Sequence, residues 1–232
     1  MARLADRLLV ISDFLRNHFR ALKANVVKIP LMINFEEFNQ NHDPQPFHIG
    51  YIGSFGDKDG LSFIYKALSK AILIEPRLKL VLMGYDPNQF QTQAEIERKK
   101  IADNIDIKGR IDHDKIASTL MQCDTFVMHR NKSPFADSGF PAKLGDYLAC
   151  KRPVLMVDNL GFSAEFTHQV NVFKYENKNP QSLADAILYR YENQRQMEDI
   201  ALQGHAYAKS NFDAKHFSKQ VVKLAVELLS SQ

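Results

Sequence analysis

Glycines and basic side chains suited to holding a phosphate group occur in two segments of the sequence. The first segment, GSFGDKDG (residues 53–60), places three glycines between an apolar run and a helical pattern. Glycines let the backbone approach a phosphate closely, and amides at the start of a helix attract anions. The spacing matches neither the dinucleotide fingerprint nor the P-loop. The segment therefore predicts either a phosphate-binding loop or a plain strand-to-helix turn.

The second segment, HRNKSPFADSGFPAKLGDYLACKRPV (residues 129–154), runs from a basic loop into a helical pattern. We expect Gly139 and Phe140 to open that helix, which would place their amides at its positive end. Arg130, Lys132 and Lys143 would each add charge-assisted contacts to a bound phosphate.

Lys143 also has a local partner of opposite charge. Asp146 lies three residues further along the predicted helix, on the same side. An exposed salt bridge between the two side chains would contribute little to stability. This interpretation stays open beside the phosphate-binding one.

Strands and helices alternate along most of the chain at the spacing of βαβ units. Apolar runs predict buried strands at residues 47–54, 78–84, 105–109, 124–129, 153–158 and 171–175. Periodic patterns predict helices at residues 61–73, 113–122, 139–150 and 180–191. The fold class is therefore α/β: a doubly wound, mostly parallel Rossmann-like sheet covered by helices on both faces. In such sheets ligands bind at the carboxyl ends of the strands, where both glycine-containing segments fall.

The two ends of the chain differ from this α/β domain, which we assign to residues 45–210. Residues 1–44 hold one strand-helix-strand unit and a polar linker, too little to bury a core alone. Residues 211–232 carry an amphipathic helical pattern. We expect this helix to cross back toward the N-terminal segment, with its apolar face at residues 217–228 packed against residues 8–11.

Composition narrows the classes of function. Thirty Lys and Arg against 27 Asp and Glu leave a formal charge of +3, too small for a typical nucleic-acid-binding protein. The two cysteines lack metal-ligand spacing, so we expect neither a disulfide framework nor a zinc site. No apolar run reaches the roughly 20 residues of a membrane-spanning helix, and the first residues do not resemble a signal peptide. The expected location is cytoplasmic, with peripheral contact at the inner face of a membrane left open.

The stretch GFPAKLGDYLACKRPVL (residues 139–155) resembles the signature of the retaining, nucleotide-sugar-dependent glycosyltransferases of family four, which have the GT-B fold. Further segments resemble that family in the same order: ADRLLVIS, IPLMINFEEF, YIGSFGDKDGL, LKLVLMG and IKGRIDHDKIASTLMQCDTFVM. The resemblance covers nearly the whole chain. It implies the C-terminal, donor-binding half of such an enzyme, preceded by a remnant of the acceptor-binding domain.

Carried over residue by residue, the resemblance implies a site for a nucleotide-diphosphate sugar. The residues implied to face the diphosphate are Gly53, Ser54, Lys58, Gly139, Phe140 and Lys143. The base is implied to lie at Gly84, Lys108, Gly109 and Arg110. Asp146 stands where the family grips the ribose, a task that suits a carboxylate because it accepts two hydrogen bonds from a vicinal diol. The auxiliary residues are Arg130, Asp137 and Ser138, and no residue is assigned as catalytic.

The chain departs from the family pattern at four places. Ser54 stands where an arginine is common, and Asp59-Gly60 replaces a Lys-Gly pair. Ser138 replaces an acidic residue, and Asn34 is followed by Phe35 rather than by glycine.

The resemblance implies hexosyl transfer from a UDP or GDP sugar to a glycan or lipid-linked acceptor in polysaccharide biosynthesis, with no metal and no cofactor. The acceptor would be bound through an N-terminal domain that this chain lacks, so we expect it to be part of a longer or split enzyme. The alternative is a non-catalytic or split-subunit module that binds a nucleotide sugar and acts through a partner chain.

Overall fold

A computed structural model describes residues 5–22, 25–39, 42–53, 59–84, 97–158 and 160–230. Its strands are β1 (Leu8–Val10), β2 (Val26–Lys28), β3 (Gln45–Ile52), β4 (Lys79–Met83), β5 (Ile105–Gly109), β6 (Cys123–Met128), β7 (Val154–Val157) and β8 (Phe173–Tyr175). Its helices are α1 (Asp13–Ala21), α2 (Leu61–Ala71), α3 (Ile116–Leu120), α4 (Pro134–Ser138), α5 (Ala142–Ala149), α6 (Pro180–Glu192), α7 (Gln194–Phe212) and α8 (Ala214–Ser230).

Six strands form one parallel sheet in the order β5-β4-β3-β6-β7-β8, which confirms the predicted α/β fold class. Every residue of β6 and β7 is buried, as expected for strands covered on both faces. The chain runs outward from β3 to β4 and β5, and later returns to β6 on the other side of β3. The order of strands therefore reverses between β3 and β6, and this is where open α/β sheets form a ligand crevice.

The helix predicted at residues 139–150 is wrong at its start. The structure begins α5 at Ala142 with Pro141 as its N-cap, and Gly139 is extended (φ −101°, ψ 160°). A separate short helix, α4, precedes it. Ser133 caps α4 by accepting a hydrogen bond from the Ala136 amide (3.1 Å). Gly139 and Phe140 thus connect two helices rather than opening one.

The N-terminal unit is a second, two-stranded parallel sheet, β1–β2, attached to the large domain by polar contacts. Ser12 donates a hydrogen bond to the carbonyl oxygen of Ser138 (2.5 Å). Lys28 pairs with Asp13 (3.0 Å) on its own unit and with Glu165 (2.8 Å) on the large domain. These contacts hold the unit beside the α4–α5 connection.

Helix α8 has contacts with the N-terminal unit. Ile11 and Phe217 line one cavity of about 300 Å³, and Arg7 reaches Glu227 (3.4 Å). The packing is incomplete, because α8 leaves three apolar side chains exposed on its outer side: Val222, Val226 and Leu229.

Both cysteines are buried and neither forms a disulfide. Burial is the main cause that raises the pKa of Cys123 to about 12, and it also raises the pKa of Cys150. Among the described residues, no group of three or more His, Cys, Asp or Glu side chains is arranged to hold a metal ion. Within the same residues, no helix has the length and apolar composition that crossing a bilayer requires.

On α5, Gly145 packs closely against Ile33, which lies in the segment that leads from the N-terminal unit into the large domain. A Cβ atom at Gly145 would lie 2.2 Å from Cδ1 and 2.7 Å from Cγ1 of Ile33, which is too close for real atoms. We predict that Gly145→Ala lowers the free energy of unfolding by about 1–3 kcal/mol, because an added methyl group overpacks this contact. Thermal or urea unfolding would measure the loss.

Ile33→Val, which removes the clashing Cδ1 atom, serves as the compensating change. The double variant Gly145→Ala/Ile33→Val should recover part of the loss. If the two substitutions destabilise additively, the contact at Ile33 is not the cause.

Candidate functional site

The crevice at the carboxyl ends of the strands is lined by backbone from three consecutive loops. The Gly53 amide donates to the carbonyl oxygen of Met83 (3.1 Å), and the Gly84 amide donates to that of Gly109 (2.6 Å). A Cβ atom at Gly84 would lie 2.5 Å from the Gly53 oxygen, and Gly84 has a φ of 90°. Only glycine fits both conditions. The structure thus brings together the glycines predicted for the diphosphate and for the base.

The charged side chains predicted near the base are solvent-facing. Lys108 is exposed and pairs with Asp106 on the same strand (2.8 Å), and Arg110 is also exposed. Gly109 has a φ of 66°, and no atom of the described residues lies within 4 Å of a would-be Cβ, so they leave open space beside it. At this strand the backbone, rather than the side chains, faces the crevice edge.

A buried ion pair lies beneath Gly53. The Lys143 ammonium on α5 is 2.9 Å from Asp59 Oδ1 and 2.7 Å from the Tyr51 hydroxyl oxygen. The same ammonium lies 3.9 Å from the centre of the Tyr51 ring, a cation–π contact. The side chains of Lys143 and Asp59 are only 10% and 2% exposed. The interpretation of Lys143 as half of an exposed salt bridge with Asp146 is therefore wrong.

His129 follows β6 and completes the buried cluster. Tyr175 donates a hydrogen bond to the Met128 carbonyl oxygen (3.1 Å), so its own oxygen accepts from Nδ1–H of His129 (3.0 Å). That pair of bonds places the proton of the neutral ring on Nδ1. Burial is the main cause that lowers the pKa of His129 to about 4, so the ring is neutral near pH 7.

Arg130 is the second cation at this edge. It is half-buried, and burial is the main cause that lowers its pKa, while the nearby Asp59 carboxylate favours the charged form. A guanidinium remains charged under all ordinary conditions. Among the described residues it makes no ion pair of its own. Lys143 and Arg130 therefore place two cations near the buried carboxylate of Asp59.

Asp146 lies one turn after Lys143 on α5 and is in a different electrostatic situation. Burial is the main cause that raises its pKa to about 6, and Glu37 raises it further, while His113 opposes both. Within the part of the chain that the structure describes, no side chain forms a hydrogen bond to its carboxylate. A carboxylate withdrawn from water in this way can accept hydrogen bonds from a ligand.

Asp137, Ser138 and Phe140, which were also predicted for the site, lie in or next to the α4–α5 connection. Hydrogen bonds or packing contacts hold each of them in place. Asp137 Oδ1 accepts a hydrogen bond from the Gly161 amide (3.0 Å), and the Ser138 carbonyl oxygen is bound by Ser12. The Phe140 ring is buried among aromatic rings, with Phe212 at a centroid distance of 5.3 Å. Phe140 thus contributes its backbone, not its ring, to the crevice side. Ser54 and Lys58 lie outside the described residues.

Three members of the buried cluster were missed by the sequence analysis: Tyr51, Asp59 and His129. Each follows or ends a strand at the reversal point, and Asp59 stands at the position of a family lysine. The replacement of the family lysine by Asp59 could have been noticed in the sequence. A carboxylate in place of a cation requires a new partner nearby.

The raised pKa of Asp146 gives a stability prediction. Since its pKa is about 6 in the folded protein and 3.8 in the unfolded chain, protonation favours the folded state. That stabilisation is complete below about pH 4 and is lost as the pH rises through 6. We predict that Asp146→Asn, which stays neutral, raises the free energy of unfolding by about 1–3 kcal/mol at pH 7.5.

Urea unfolding of both proteins at pH 7.5 and at pH 4 would measure this difference. It should shrink toward zero at pH 4, where the native aspartate is also neutral. An equal difference at the two pH values would contradict the assigned cause.

The comparisons with known proteins agree with this geometry. The family model described as glycosyl transferases group 1 matches residues 32–206. An uncharacterized glycosyltransferase of Methanocaldococcus jannaschii is 22% identical over 206 residues, which is 88% of this chain and 55% of that protein. The chain therefore spans about half the length of the curated relative that it matches.

Solved structures share the fold. HepE of Anabaena, in complex with UDP and glucose, superposes with a TM-score of 0.81 at 18% identity, covering 100% of this chain and 64% of that one. Sucrose-phosphate synthase of Thermosynechococcus elongatus gives a TM-score of 0.79 at 18% identity, covering 98% and 59%. The pneumococcal O-GlcNAc transferase GtfA, in complex with UDP and GlcNAc, gives 0.76 at 16%, covering 98% and 46%. The α/β fold is that of GT-B glycosyltransferases.

Proposed function

The chain belongs to the group 1 glycosyl transferases, and on this premise we propose that it is the C-terminal, donor-binding half of an enzyme that transfers a hexosyl group from a UDP sugar. The proposed acceptor is a glycan or a lipid-linked sugar. The proposed reaction retains the anomeric configuration and uses neither metal nor cofactor. One observation carries the donor assignment: α5 presents Lys143 and Asp146 one turn apart, beside the converging glycines at the strand reversal.

The nucleoside end of the donor fits the region from Gly84 to Asp146. The edge beside Gly84 and Gly109 is backbone with positive φ and open space at Gly109, which suits a flat base. His113 follows β5 and lies close enough to Asp146 to affect its pKa. A ribose between them could donate both hydroxyl protons to the Asp146 carboxylate. UDP is the favoured nucleotide, because HepE and GtfA were each solved in complex with UDP.

The diphosphate end fits the region from Gly53 to Arg130. Lys143 and Arg130 supply two positive charges to a diphosphate that gains a further negative charge when its bond to the sugar breaks. Fixed charges in a partly water-excluded site stabilise such developing charge strongly. This is the chemistry that a metal ion supplies in other enzymes, which is why we propose a metal-independent reaction. The sugar would then point toward Gly139, next to Ser12 of the N-terminal unit.

An acceptor-binding half is proposed to cover the N-terminal unit. The unit leaves Leu9 (52%), Ile11 (42%) and Phe14 (47%) exposed, beside the exposed apolar side of α8. An apolar surface of this kind indicates an interaction site. Since the chain spans 55% of its curated relative, the remaining length of such a protein would suffice for a second domain.

The alternative function is a nucleotide-sugar-binding module without catalysis of its own, acting through a partner chain. Ser138 favours it, since this position lacks the acidic side chain of the family pattern and its carbonyl oxygen is held by Ser12. Both functions require the same donor site.

Nucleotide titration tests the donor site directly. We predict saturable binding of UDP by calorimetry, stronger than that of GDP or ADP. Asp146→Asn should weaken UDP binding by about 1–3 kcal/mol, because the amide is uncharged and keeps only one accepting oxygen, although the same substitution stabilises the fold.

For the native chain, UDP affinity should also fall as the pH drops below 6, when Asp146 is protonated. Lys115→Met, at an exposed salt bridge with Asp112, is the control and should bind UDP like the native chain. Equal UDP affinity in the native chain and Asp146→Asn would remove the ribose assignment.

Sugar transfer separates the two functions. We predict that the chain joined to, or mixed with, an acceptor-binding half transfers radiolabelled hexose from a UDP sugar to a glycan or lipid-linked acceptor. Transfer that is lost with Asp146→Asn would support the enzyme. Binding of the UDP sugar without transfer in the assembled protein would support the module.

A further inference from the structure

The carboxylate of Asp59 is one of the most deeply buried charges in the described part of the chain. It is 2% exposed, and its Oδ1 atom is bound by the Lys143 ammonium (2.9 Å) and by the Tyr51 hydroxyl (3.1 Å). Its Oδ2 atom has no hydrogen-bond partner among the residues that the structure describes. A buried ion pair is weak evidence for stability, because the cost of removing both charges from water offsets their attraction. Stability alone therefore does not explain why the Asp59–Lys143 ion pair lies at the crevice.

The position of the ammonium supplies that reason. The Lys143 Nζ atom lies 3.1 Å from the place that a Cβ of Gly53 would occupy, so it sits directly against the first crevice glycine. Three contacts fix it there: the Asp59 carboxylate, the Tyr51 hydroxyl and the face of the Tyr51 ring. A lysine side chain normally has several rotamers, and ordering it when a ligand binds reduces affinity. The Lys143 side chain is already ordered by these contacts before a ligand binds.

We propose that Asp59 is a positioning residue for the donor diphosphate: it holds the Lys143 ammonium against Gly53, so that helix α5 supplies a pre-ordered cation to the diphosphate. This inference rests on the proposed function. It explains how a carboxylate is tolerated where the family resemblance has a lysine, because the positive charge reaches the same crevice from α5 instead. The carboxylate itself would not touch the ligand.

The test compares four proteins: the native chain, Lys143→Met, Asp59→Asn and the double variant. Each is titrated with inorganic pyrophosphate, UDP and UMP. The double variant has no unpaired buried charge, so it separates loss of folding from loss of binding. Asp124→Asn is the matched control, since it neutralises another buried carboxylate, at the opposite end of β6, where Asp124 accepts from the Phe47 amide (2.7 Å) and Tyr191 (3.0 Å).

Lys143→Met should weaken pyrophosphate and UDP binding by about tenfold or more, the scale of one charge-assisted contact, and UMP binding much less. The double variant should melt near the native temperature and bind as weakly as Lys143→Met. Asp59→Asn should lower the preference for UDP over UMP several-fold, because the ammonium loses its anchor. Asp124→Asn should keep the native preference.

Two results would overturn the inference. A double variant that binds pyrophosphate and UDP like the native chain would leave the ion pair with a structural role only. An Asp59→Asn protein with a stronger preference for UDP over UMP would show that Asp59 acts as a bulk charge and not by positioning, since removing a carboxylate makes the crevice more positive.

The same titrations also distinguish a failure of this inference from a failure of the proposed function. Binding of pyrophosphate that depends on Lys143, without binding of UDP, would support the positioning role and contradict the nucleotide-sugar function. Binding of UDP that neither substitution changes would do the reverse. A native chain that binds neither ligand would contradict both.

Discussion

A charged group that is buried away from water must be compensated by another charge, by hydrogen bonds or by a change in its protonation. Helix α5 shows two of these cases within one turn: an ion pair and a shifted pKa. Lys143 is matched by Asp59 and keeps its charge in the crevice. Asp146 has no such match, and burial raises its pKa to about 6. The helix can place both groups at this edge because its other side packs Leu144, Tyr147 and Leu148 into the core. The geometry of the crevice therefore depends on how firmly α5 packs against the core.

Much of the fold follows from local patterns in the sequence. Strand β5 has the predicted bounds, and β4 and β6 differ from theirs by a residue or two, because continuous apolar runs leave little choice for strands buried on both faces. Helix α7 was not predicted. Its buried face includes small residues such as Ala201, Gly204 and Ala208, which give a weak hydrophobic period. The short helix α4 was also missed, since its segment was interpreted as a polar, basic loop, and α5 was predicted to start three residues too early.

The candidate site was predictable to the extent that its parts are local. The glycines after β3 and β4 and the carboxylate of Asp146 could be placed from the strand-helix rhythm and the family resemblance. The ion pair could not, because Asp59 and Lys143 are far apart along the chain and meet only when β3 and β6 lie side by side. The spacing in the sequence indicated Asp146, three residues away, as a possible partner of Lys143. The fold selects the distant one, since a pair enclosed by Tyr51 avoids leaving either charge buried alone.

The two buried thiols have a consequence for following the protein in motion. Cys123 begins β6 and Cys150 caps the end of α5, so they report on the central strand and on the helix that carries Lys143 and Asp146. A buried thiol with a raised pKa reacts slowly with alkylating reagents while the fold stays closed. Each labelling event therefore marks a moment when that element has separated from the sheet. The rate of labelling at each cysteine would therefore measure how often its own element opens.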